Sequence, residues 1–145
     1  MRRLSNPFVT TLFALTLPAL GAAGCGTASS SASLASAATA PTQVTQAFSG
    51  TLAVKGGTTF TFDALSSGGV TAMLKTVSPD STVMLGLALG TWNGQTCQVV
   101  IANDAASVNL VITGATTAAG NLCVRVYDIG KLTQTQNIEV TVTHF

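Results

Sequence analysis

From Phe48 to Val142 the chain sets a large apolar side chain at every second position, in run after run. Gly, Ser, Pro, Asn and Asp separate the runs. A period of two sends alternate side chains to opposite faces of an extended strand, so runs of this kind bury a face as strands, not as helices. Phe48, Leu52 and Val54 open the series, and Gly56-Gly57 turns it toward Phe60 and Phe62. Ser66 to Gly69 turn it again into Val70–Leu74, which Ser78-Pro79-Asp80-Ser81 closes. There Pro presets φ, and the Asp and Ser side chains bond back to the backbone. Val83, Leu85, Leu87 and Leu89 then alternate with Met84, Gly86, Ala88 and Gly90. Partners that small imply an outer face that something else crowds or covers.

The second half is organised around residues 90–130, which hold the only Trp, the only Tyr and two of the three cysteines. Asn93-Gly94 between two apolar runs is a strong hairpin signal. Cys97, Val99 and Ile101 form the return strand, and Asn103 to Ala106 a loop. Val108, Leu110 and Ile112 form the next strand, and Gly114 to Gly120 another loop. Leu122, Val124 and Val126 follow; Asp128 to Gln136 is a polar excursion; Ile138, Val140 and Val142 close the series. About eight short strands with turns every 8–12 residues or so, and no helical period, predict an all-β protein. The expected architecture is a jelly-roll-like antiparallel β-sandwich over residues 47–145.

Residues 1–24 read as a secretory signal peptide. Arg2 and Arg3 are a positive start, Phe8 to Leu20 an interrupted apolar stretch, and Gly21-Ala22-Ala23-Gly24 a small-residue end. Cys25 follows. Ala23, Gly24 and Cys25 resemble a bacterial lipobox, in which the Cys is lipidated, although Ala22 stands where Leu is usual. Ordinary cleavage near Gly21-Ala22-Ala23 is the other reading and leaves Cys25 a free thiol. Residues 26–46 are mainly Ser, Ala, Thr, Gly and Gln with no charge, and Leu34 and Val44 are their only large apolar side chains. Such a segment cannot bury enough surface to offset its ordering. Residues 25–46 are therefore expected to be a lipidated Cys and a flexible tether, spanning about 25 Å as a random coil. The expected location is outside the cytoplasm, lipid-anchored in the cell envelope or secreted.

Charged residues make up 8% of the chain, against roughly a quarter in an average soluble domain. From Cys25 onward four cations (Lys55, Lys75, Arg125, Lys131) face five anions (Asp63, Asp80, Asp104, Asp128, Glu139), a net charge of −1. That balance offers no basic footprint for nucleic acid or for an anionic membrane surface. In an exported chain Cys97 and Cys123, 25 residues lying between them, are expected to form a disulfide, with Cys25 set aside. No CxxC supports a metal or redox pair instead.

The runs FSGTLAVKGGTTFTFDAL, SPDSTVMLGLALGTWNGQTCQVV, AAGNLCVRVYDIG and IEVTVTH, above all LGTWNG…C and LCVRVYD, resemble a bacterial pre-peptidase C-terminal-type domain across about residues 47–145. The resemblance implies a jelly-roll sandwich that accompanies exported hydrolases as an accessory for secretion, stability or binding. The chain is expected to depart from that setting in having no enzyme domain attached.

Nucleophilic catalysis needs a base beside the nucleophile. His144 is the only His, and is expected to lie exposed at the end of the last strand. The aspartates sit near turns, where Asp serves the backbone. Asn103, Asp104 and Asp128 are the candidates for a Ca²⁺ site made with loop carbonyls. Trp92 and Tyr127 are the candidates for stacking on a sugar ring, with stapling of the hairpin and packing at a sheet edge as the structural alternative. Arg125 faces away from Val124 and Val126, toward solvent or a partner such as Glu139. No catalytic residues and no cofactor are assigned. The expected function is a non-enzymatic, envelope-tethered or secreted interaction module with an unknown protein or glycan partner. The alternative is a small glycan-binding lipoprotein.

Overall fold

The computed structural model describes residues 40–145. The expected signal peptide, Cys25 and most of the expected tether lie outside the described residues. Eight strands follow one another: β1 (Val44–Leu52), β2 (Gly57–Ala64), β3 (Gly68–Ser78), β4 (Leu85–Trp92), β5 (Cys97–Ala106), β6 (Val111–Thr116), β7 (Gly120–Tyr127) and β8 (Gln136–His144). They form two antiparallel four-stranded sheets, ordered β1-β8-β3-β6 and β2-β7-β4-β5.

The order follows from one long hairpin. β4 pairs with β5, β3 with β6, β2 with β7 and β1 with β8. The midpoints of the pairs Val44–His144, Gly57–Tyr127, Ala72–Ile112 and Ala88–Ala102 all fall between residues 92 and 95. The bend of the hairpin is therefore Asn93-Gly94. Its side chain builds it: Asn93 Oδ1 accepts the N–H groups of Gln95 (3.0 Å) and Thr96 (2.8 Å), and Gly94 adopts φ +94°. The folded-over ribbon then rolls up, and the seams β3–β8 and β4–β7 complete two sheets with a jelly-roll order.

The inward positions of both sheets make the core. Leu52, Leu74, Leu85, Leu87, Val124, Val126, Val140 and Val142 are fully buried, each contributing about 1.5–3 kcal/mol relative to exposure. Phe48 stacks on Phe60 with ring centroids 5.4 Å apart beside them.

Several local expectations change. Val44, Thr45 and Gln46, read as the end of the tether, already belong to β1, because His144, Thr143 and Val142 offer them a ladder. Val54 is exposed rather than inward, since the first turn is Ala53–Gly56, with Lys55 at φ +57°. Asn103 to Ala106 continue β5. Val108 to Leu110 instead carry the chain from one sheet to the other, with Asn109 in the left-handed region. Asn109 donates to the Leu74 carbonyl at 2.7 Å, and Leu110 accepts from Leu74 at 3.1 Å. The apolar side chains of Val108 and Leu110 fill the end of the core without being strand. Gly114 to Thr116 are β6, not loop. Within the polar excursion Leu132 is buried.

Candidate functional site on the outer face of the second sheet

Leu85, Leu87 and Leu89 point into the core, so Gly86, Ala88 and Gly90 face away from it, yet all three are buried. Two straps across β4 cover them, each joining its neighbours β5 and β7. At one end lies the Cys97–Cys123 disulfide, with Cα atoms 5.8 Å apart. Strands two places apart in a sheet are normally about 9–10 Å apart. The register shift between Leu89 and Gly90 lets the start of β5 climb over β4 and close that distance. Gly90 is where it climbs, because a Cβ there would strike the Gln98 carbonyl. The predicted disulfide thus forms, and it crosses over a glycine.

At the other end the strap is a hydrogen bond. Tyr127 pairs with Gly86 across β7–β4 and lays its ring where a Gly86 Cβ would be. Its hydroxyl donates to Asp104 Oδ1 on β5. That bond, burial and the Asp104 charge together raise the Tyr127 pKa, against a smaller opposing pull from Arg125. The Arg125 guanidinium lies 5.8 Å from the Tyr127 ring centroid, over Gly57 rather than beside Glu139. Glu139, on the other sheet, pairs loosely with Lys75 at 3.7 Å instead.

Trp92 and Tyr127 are not brought together. Trp92 is half-buried at the hairpin end, six residues along β4 from Gly86, a separation of about 20 Å. The three candidate Ca²⁺ ligands are likewise separately employed. Asn103 Oδ1 accepts from Ala105 N–H (2.8 Å), and Asp104 accepts from Tyr127. Asp128 Oδ1 accepts from Gly130 (2.8 Å), Lys131 (2.8 Å) and Leu132 (3.1 Å), and Oδ2 from Lys55 N–H (2.7 Å). This cage ties the first turn to the β7–β8 loop and tucks Leu132 into the core. Among the described residues no three His, Cys, Asp or Glu side chains converge as a metal site would require.

His144 is buried, not exposed. Its ring packs on Phe62 at 5.1 Å, and Val44 pairs with it from β1. The pairing of β1 with the last residues of the chain covers it. The straps themselves are the feature least visible in sequence; the alternation Gly86-Ala88-Gly90 is its only trace.

Asp128 yields a pH prediction. Desolvation is the largest single influence on its carboxyl and raises its pKa, but the backbone N–H groups of Lys55, Leu132, Lys131 and Gly130 together outweigh it and hold the pKa below the ordinary value. A lowered folded-state pKa gives stability that is present above the unfolded value, about 3.9, and lost as pH falls through the folded one. The melting temperature is therefore expected to fall in acid below about pH 4. Asp128→Asn should melt lower at pH 7 and show a shallower acid limb. Parallel acid limbs in differential scanning calorimetry would refute this role.

Comparison with protein-family models and with curated proteins gives no match for the chain.

Proposed function

We propose that the chain is an exported, lipid-tethered accessory module of the pre-peptidase C-terminal type, a non-catalytic sandwich that presents its surface to a protein partner in the cell envelope. The observation that carries this reading is the Cys97–Cys123 bridge in a chain that opens with an export-type segment. Such bridges persist outside the reducing cytoplasm. The polar groups of the strap face support it, because they are spent on holding strands and turns. Tyr127 and Asp104 secure β5 to β7, and Asp128 secures two loops.

The test is fractionation combined with metabolic labelling by a palmitate analogue. The wild type is expected in the membrane fraction and labelled at Cys25. Cys25→Ser is expected unlabelled and released. An unlabelled, soluble wild type would remove the anchor from the proposal. A glycan array is expected to be blank. Saturable binding lost in Trp92→Ala would replace the protein-partner reading with glycan recognition centred on Trp92.

A further inference from the structure

On the side of the sandwich where β5 and β6 are the edge strands, the two sheets part to leave a cleft of about 250 Å³. Its apolar lining comes from both sheets: Val70 on one, and Leu89, Ile101 and Leu122 on the other. Thr91 and Thr117 add hydroxyls, whereas that of Thr116 donates to the Ala118 carbonyl at 2.6 Å. The lining includes no charged residue and no aromatic ring.

Gly114 lines the cleft beside Ile101. In β6 the inward positions are 112, 114 and 116, and Ile112 fills the first of them. The alternation calls for an apolar side chain at the second, where the chain has none. A Cβ there would point into the cleft, 3.1 Å from Ile101 Cδ1 and 4.0 Å from Leu89 Cδ1. Glycine inside a strand weakens it and often marks a place where a ligand or another backbone comes close. At Gly90 the close neighbour is the Gln98 backbone, and at Gly86 it is the Tyr127 ring; at Gly114 it is the Ile101 methyl at the wall of the cleft.

We propose that this cleft binds a single aliphatic chain with an uncharged, hydroxyl-bearing head. The size fits, since a dry apolar cavity of about 150 Å³ already takes up benzene. A charged head would lose hydration with no counter-ion to replace it. A flat sugar ring would find no aromatic face to stack on. The aliphatic side chains match the chain, and the hydroxyls of Thr91 and Thr117 match the head. This goes beyond the accessory-module reading and does not depend on where the protein resides.

The test is a titration of the full chain, followed by amide and methyl NMR, with 1-octanol and with octanoate. Saturable shifts are expected at Leu89, Ile101, Gly114 and Leu122 with 1-octanol, together with an NOE from the octyl chain to Ile101 Cδ1. Octanoate should bind at least tenfold more weakly. Gly114→Val, whose side chain fills the cleft, should weaken 1-octanol binding at least tenfold, and Gly114→Ala should weaken it less. Absence of saturation or of the NOE in the wild type would overturn the proposal whether or not the variants fold. So would equal affinity for octanoate, or undiminished binding by a folded Gly114→Val.

Discussion

The Cys97→Ser/Cys123→Ser protein is expected to be about 3–4 kcal/mol less stable than the oxidised wild type, from the loop entropy that the bridge removes from the unfolded chain. For a domain of about 100 residues this is a fall of roughly 15–25 °C in melting temperature. The sequence separation of 26 sets the entropic part. A second contribution comes from position. The bridge joins β5 and β7 across β4, and β5 is an edge strand held by β4 alone within its sheet. Without the bridge, the first residues of β5 lose their tie across Gly90. Hydrogen exchange should therefore quicken first at Cys97 to Val99, before it does in the core strands. Calorimetry of the double variant beside the oxidised wild type checks the magnitude. A loss below about 1 kcal/mol would show that the bridge contributes little beyond the noncovalent pairing.

Gly90→Ala is expected to cost about 2–3 kcal/mol, the upper range for forcing a methyl into a packed site. The new Cβ meets the Gln98 carbonyl, which is backbone and cannot rotate away. The start of β5 must lift, and the disulfide resists the lift. Gly90→Ala should therefore cost less in the Cys97→Ser/Cys123→Ser background, a coupling that a double-mutant cycle measures. Gly86→Ala is the comparison. There the obstacle is the Tyr127 ring, a side chain that can swing out and give up Asp104. The expected cost is about 0.5–1.5 kcal/mol, that of one typical hydrogen bond, because this one lies exposed to solvent. Equal costs at the two glycines would show that the climb of β5 over β4 is not the constraint.

Much of the fold was legible because burial on one face of a strand leaves a period of two. The inward residues of β4, β7 and β8 follow the alternation for that reason. Where the chain turned out differently, alternation and strand had come apart. Val108 and Leu110 alternate but lie in the crossover, where apolar side chains plug the end of the core. Asn103 and Asp104 are polar yet lie in β5, because an edge strand meets solvent and Asp104 serves Tyr127. Gly114 looked like a loop residue because a glycine on an inward strand position has no local signature. His144 reads as exposed because it is nearly last, whereas Phe62 and the pairing with Val44 cover it. The candidate site fared the same way. Cys97 and Cys123 were legible as a pair from their chemistry, whereas Trp92 and Tyr127 share only rarity in the sequence and lie at opposite ends of β4.

The sequence by itself determined that the chain would be strands, where most of them lie, which side chains face inward, and that Asn93-Gly94 would bend it. These are local properties, set by side-chain period and turn chemistry within a few residues. Only the tertiary structure decided which strands pair, that the ribbon rolls around residues 92–95, and that β5 and β7 are joined twice over β4. Pairing joins residues as far apart as Val44 and His144, and either face of an alternating strand accepts many partners. The choice among them rests on packing between whole sheets, and no short window of residues contains that.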